Sequence, residues 1–214
     1  MALGFYYGAG SPYTWRVWLA LEHKQIPHEL KLMSFSDGDL KKPEFRAINP
    51  RGKVPSIIDD GFVLYESAAI VEYLEQQYLA SGKPLFPGNT RDQATVRRMV
   101  CEADNYYAAA MNKLVTGVLF TPEHDWDEGR ISAARDLCLA ELARSAADMR
   151  GDFLAGALSA ADFTLYPMLA LCLRCEVKKP ALAMTSALPE KINAWMARMQ
   201  ALPYHAKTRP AHWL

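Results

Sequence analysis

Asn49-Pro50-Arg51-Gly52-Lys53-Val54-Pro55-Ser56-Ile57-Ile58-Asp59-Asp60-Gly61-Phe62-Val63-Leu64-Tyr65-Glu66-Ser67 is the stretch on which the fold turns. It opens as a loop, because Pro50 and Gly52 interrupt any regular period. Val54–Asp59 then reads as a short strand, Asp60-Gly61 as a turn, and Phe62–Tyr65 as a second strand. Two short strands joined this tightly form an antiparallel hairpin. Beyond it, Ser67–Leu79 places Ile70, Val71, Leu74 and Tyr78 on one helical face, which predicts packing on the sheet.

Upstream, Leu3–Tyr7 reads as a strand, followed by Gly8, Gly10 and then Ser11-Pro12 at the head of an apolar-rich segment reaching Lys24. Ser11 suits an N-cap and Pro12 the first helical position, where a missing N–H costs little. After a turn at Ile26-Pro27, His28–Met33 is the next strand, so the chain begins β-α-β with parallel strands. The prediction is a small α/β domain over residues 1–80, closed by a linker containing Ser81, Gly82, Pro84, Pro87 and Gly88.

Downstream the strand signals stop. Val96, Met99, Val100, Ala103, Tyr107, Ala110, Met111 and Leu114 keep helical spacing and predict one long helix with a buried stripe. A second helix is expected from about Gly129 to Met149, and a third from Ser159, where Ser159 and Asp162 form a capping-box-like pair. Pro167 should bend that third helix. Ile192, Trp195, Met196, Met199 and Leu202 mark the last helix, ahead of a tail with Pro203, Pro210 and Trp213, so residues 90–214 read as all helix.

With 214 residues, half of them hydrophobic, the chain can bury a core without staples. Its 22% of charged residues balance to a formal net charge of zero, which argues against nucleic acid or an anionic membrane surface as partner. Met1–Gly10 has no basic leader region and no run reaches eighteen apolar residues, so a soluble, cytoplasmic protein is expected. Cys101, Cys138, Cys172 and Cys175 show no regular framework, in keeping with a reducing compartment. Cys172 and Cys175 form a C-x-x-C inside a predicted helix, without a second ligand pair for zinc, and read as packing. His205 and His212 have no partner visible in the sequence.

Two further sites carry chemistry. Glu66 and Ser67 at a helix start can be an ordinary cap, or an anion site in which Ser67 holds a substrate carboxylate while Glu66 accepts from an α-ammonium. Ser11 can likewise cap its helix.

Ser-Pro-Tyr-Thr-Trp-Arg-Val at Ser11–Val17, Asn-Pro-Arg-Gly-Lys-Val-Pro at Asn49–Pro55, Glu66-Ser67, and Ser-Ala-Ala-Asp at Ser159–Asp162 together resemble the soluble glutathione transferases across both domains. The resemblance implies an α/β plus all-α chain, with a thioredoxin-like glutathione-binding domain over 1–80 and a helical domain over 90–214 lining the electrophile site. In that architecture a cis-proline precedes the third strand, and the preceding residue, here Val54, aligns the cysteinyl group of the peptide. Glu66 and Ser67 then bind the γ-glutamyl end, Lys53 lies near the glycyl carboxylate, and Ser11 activates the thiol as in the serine-type branch. Other branches place a catalytic tyrosine near Tyr6 and Tyr7. The resemblance further implies glutathione as co-substrate, no metal, a detoxifying reaction on a hydrophobic electrophile, and a homodimer with a helix beginning near Arg91 at its interface. Non-catalytic binding or regulatory proteins share the fold, and thiol-reducing relatives use a cysteine where this chain has Ser11.

Overall fold

A computed structural model describes residues 3–213; Met1, Ala2 and Leu214, at the ends of the two expected domains, lie outside the described residues. Two compact units emerge from backbone contacts, Met1–Leu85 with Pro203–Leu214, and Phe86–Leu202.

In the first unit, β1 (Leu3–Tyr7), α1 (Pro12–His23), β2 (His28–Leu32), α2 (Pro43–Ile48), β3 (Ser56–Asp59), β4 (Phe62–Tyr65) and α3 (Ser67–Gln77) follow in order. The sheet runs β2-β1-β3-β4, with β1 parallel to β2 and antiparallel to β3. The β3–β4 hairpin turns on Asp60 and Gly61, both at positive φ, as a two-residue primed turn requires. The strand expected from Val54 begins at Ser56: the Val54–Pro55 bond is cis, and proline brings no N–H to the ladder. Ile70, Val71 and Leu74 of α3 are buried as their spacing predicts, while Tyr78 lies just past the helix and its hydroxyl donates to Asp59. Helix α1 is tied to α3 by Lys24, whose buried Nζ lies 2.8 Å from Glu75 Oε2. Helix α2 escapes the sequence pattern because its six residues bury only Phe45, too little for a period to register.

The second unit contains α4 (Thr90–Glu102), α5 (Ala108–Leu119), α6 (Glu128–Asp148), α7 (Ala160–Lys178), α8 (Met184–Ala187) and α9 (Glu190–Gln200). Apart from two isolated bridges within Phe153–Ala157, its regular structure is helical. The single long helix expected through Leu114 is interrupted by a π-helical turn at Ala103–Tyr107. That turn adds a residue to the local period, so Tyr107 joins Ala110, Met111 and Leu114 in the core while Met99 and Val100 are only half-buried. Helix α7 runs on through Pro167 as one element. At its start the capping box is present: Asp162 accepts from the Ser159 N–H at 2.9 Å and its hydroxyl at 3.0 Å, and also from Leu154 N and Trp195 Nε1. Burial pushes the Asp162 carboxyl up to about 6 against the pull of these four donors.

The tail forms α10 (His205–Thr208), which groups with the first unit.

Candidate active site

Register alone brings the chemistry-bearing loops to one end of the sheet. Tyr6 pairs with Ser56, and Ser56 with Tyr65, so the loop leaving β1, the loop entering β3 and the residue after β4 all meet there. Gly8–Ser11, Val54 and Glu66 are therefore neighbours by topology.

The first loop is held from within. Gly8 N–H donates to Thr14 Oγ1 at 3.3 Å, and Ser11 N–H donates to the Gly8 carbonyl at 3.2 Å. Gly8 has no room for a side chain, since a Cβ would fall 2.5 Å from the Phe35 ring and 2.9 Å from Val54 Cγ2. Ser11 is the N-cap of α1, its Oγ accepting from Thr14 N–H at 3.3 Å. Accepting leaves its own O–H free to donate, so capping and thiolate stabilisation are compatible in one hydroxyl.

In the second loop Asn49 is the organiser. Its buried amide donates to the Lys53 carbonyl at 2.8 Å and to Ser56 Oγ at 3.2 Å, and its Oδ1 accepts from Arg51 N–H at 3.0 Å. Lys53 is thereby held by its main chain with its side chain exposed. Among the described residues, neither the N–H nor the C=O of Val54 enters a hydrogen bond, although the residue is 9% exposed. A nearly buried donor–acceptor pair without a partner suits an extended peptide laid beside it.

Glu66 is the N-cap residue of α3 and Ser67 its first helical residue, and the Glu66 side chain makes no cap bond. Glu66 sits at φ 73°, ψ 109°, sparsely populated for a side-chain-bearing residue. Its carboxylate is exposed and lies 3.8 Å from Arg51 Nε. Ser67 Oγ is directed to α1, where it accepts from Arg16 Nη1 at 3.1 Å. Arg16 is 1% exposed and puts a buried positive charge behind the first turn of α3.

Tyr6 and Tyr7 point to opposite faces, Tyr6 toward Phe45 at 6.2 Å and Tyr7 toward Trp18 at 5.2 Å between ring centroids. In the second unit, Met111 is core, whereas Tyr106 and Tyr107 border a cavity of about 280 Å³. Arg98, Glu102, Glu141, Arg144 and Asp148 give it charged walls. Cys138, Cys172 and Cys175 are buried, and burial pushes the Cys175 thiol up to about 12. Among the described residues no group of three His, Cys, Asp or Glu is arranged to hold a metal ion.

The bond from Arg16 to Ser67 was not legible in the sequence, because a contact across 51 residues leaves no local trace. Asn49 was legible only as a loop residue, although asparagine before Pro-Arg-Gly is the residue a side-chain-built turn calls for.

Residues 10–77 match the family model described as "Glutathione S-transferase, N-terminal domain". Glutathione S-transferase A of Pleuronectes platessa is 28% identical over 213 residues, covering 97% of this chain and 91% of that protein. A crystal structure of a glutathione S-transferase from the Antarctic clam Laternula elliptica superposes with a TM-score of 0.84 at 31% identity, over 100% of this chain and 94% of that one. A theta class enzyme from Xanthomonas axonopodis pv. citri, solved with glutathione bound, gives a TM-score of 0.81 at 25% identity over 97% and 96% of the two chains.

Proposed function

The chain belongs to the glutathione transferase family, and from that premise we propose that Ser11 ionises bound glutathione for attack on an electrophilic, hydrophobic small molecule. It is a glutathione transferase, with glutathione as its co-substrate. The observation that carries the residue-level reading is the opening of α3 at Glu66 without a side-chain cap bond, on the same sheet end as the hydroxyl of Ser11 and the main chain of Val54, which is unpaired among the described residues.

Each part of the peptide then has a partner. Glu66 accepts from the α-ammonium of the γ-glutamyl end, and its carboxylate meets the first-turn N–H groups of α3 and the Ser67 hydroxyl, with Arg16 behind. The cysteinyl main chain pairs with Val54, and Lys53 faces the glycyl carboxylate. The sulfur is left at Ser11. Lowering a thiol pKa by about two units takes ~2.7 kcal/mol. A hydroxyl-to-thiolate hydrogen bond of ~1.5–3 kcal/mol supplies most of that, and the start of α1 adds ~0.3–1 kcal/mol. The thiol proton passes to solvent, sulfur forms a bond to the electrophilic carbon, and the leaving group departs with the electron pair of the broken bond.

The protein works in the cytoplasm as a homodimer, with α4, which opens at Thr90, at its interface. Support comes from family membership, and no helix among the described residues is long and apolar enough to cross a membrane. Calorimetric titration with glutathione, followed by ultraviolet absorbance of the thiolate in the complex, tests the chemistry. Binding without ionisation near neutral pH would remove catalysis at Ser11.

A further inference from the structure

The tail adds a wall to the Ser11 loop. It runs back along α1: Tyr204 shares a 2.8 Å hydrogen bond with His23, Lys207 Nζ lies 2.7 Å from Glu22, and Thr208 Oγ1 accepts from Trp15 Nε1 at 2.9 Å. At its end the Trp213 ring meets Trp15 edge-on at 5.5 Å, and a Cβ on Gly10 would fall 2.9 Å from His212 Nε2. Loop and tail enclose a cavity of about 320 Å³, and Ser11 is part of its lining.

The lining is chemically uneven. Tyr7, Trp15, Trp18 and Leu32 provide flat apolar sides, and Lys207 and Arg209 stand on the tail. No Asp or Glu is among the described residues that line the cavity. The charge of Lys207 is answered by Glu22, whereas the guanidinium of Arg209 meets no carboxylate among the described residues. A volume near the lower end of ligand pockets, roughly 300 Å³, holds one substituted ring. Arg209 belongs to that lining, and a planar guanidinium fork matches a carboxylate or sulfonate.

We propose that this cavity receives the second substrate, and that it selects flat aromatic electrophiles bearing an anionic substituent, which Arg209 binds. The proposal rests on the reading that glutathione is ionised at Ser11, and it names the class of molecule the sulfur attacks. With a chlorodinitrobenzoate, sulfur bonds to the ring carbon bearing chlorine and chloride leaves with the electron pair. The ring carboxylate is unchanged, and the thiol proton has gone to solvent.

Binding is tested apart from turnover with dinitrobenzoate, which has no leaving chlorine, against uncharged dinitrobenzene, each followed by quenching of tryptophan fluorescence. The intact protein is expected to bind the acid at least tenfold more tightly than the neutral ring. Arg209→Gln should lower that preference about ten- to a hundredfold, and Arg209→Lys should restore part of it. In turnover, the ratio of kcat/KM for chlorodinitrobenzoate over chlorodinitrobenzene should fall in parallel. Equal affinity for the two rings, or a preference unmoved in Arg209→Gln, overturns the anion subsite while leaving glutathione transfer intact. Preserved preference in binding together with failure to ionise glutathione overturns the Ser11 reading instead.

Discussion

A single hydroxyl carries two assignments at Ser11, and a substitution separates them. Ser11→Ala should raise the pKa of bound glutathione by about one to two units, at about 1.4 kcal/mol per unit. At neutral pH, kcat/KM toward an aryl halide should then fall roughly ten- to a hundredfold and recover as pH rises. Glutathione affinity should change little, because Glu66, Ser67 and Val54 are untouched. A pH profile like that of the intact protein would transfer the role to a tyrosine, Tyr7 first, since it shares the cavity with Ser11. Glu66→Ala should weaken glutathione binding by about 1.5–3 kcal/mol, read by calorimetry, with stability nearly unchanged because the side chain makes no cap bond. An unaltered dissociation constant would relieve Glu66 of any part in binding. The placement of Ser11, Val54 and Glu66 at element boundaries was legible, because residue type and position constrain each other there. Arg16 was not legible, since its partner is fixed only when α1 and α3 pack.

Among the elements, long ones with a complete period or a full cap could be read directly from sequence, as α6 and α7 show. What escaped was short or geometrically irregular. Helix α2 has one buried apolar residue, α10 has four residues in all, and a π-helical turn leaves the composition of the stripe unchanged while altering its phase. The best-anchored start is that of α7, where Asp162 satisfies four donors in the core. Asp162→Ala should cost about 3–5 kcal/mol, because it strands those donors away from water. Denaturant unfolding measures this, and a loss below about 1 kcal/mol would show that solvent reaches the helix start.

Across the whole molecule, the two units should respond to acid with opposite signs. In the first, His23 is pushed down to about 4, chiefly by burial. Its unfolded form takes a proton near 6.5, so the stability it confers is present above that pH and is lost as pH falls toward 4. In the second, Asp162 is raised from 3.8 to about 6, so its contribution is present below 3.8 and is lost as pH climbs through 6. Each amounts to at most about 3 kcal/mol, and in a single global curve they largely cancel. Hydrogen exchange resolved by segment should show protection falling in α1 and α10 between pH 6.5 and 4, and rising at the start of α7. Parallel changes in both would mean that the pair does not control local stability.

The hydrogen bond between Trp15 and Thr208 spans 193 residues, so the first unit is discontinuous along the chain. Its last side must wait for a distant segment to return, which makes it a late event in folding and an early one in unfolding. Thr208→Val, which keeps the shape and removes the acceptor, should therefore speed unfolding while leaving the refolding rate nearly unchanged. Stopped-flow mixing would reveal this as a shift confined to one arm of the chevron. The kinetic lifetime of the site beside Ser11 would then be set by the tail's departure more than by the sheet that holds the serine.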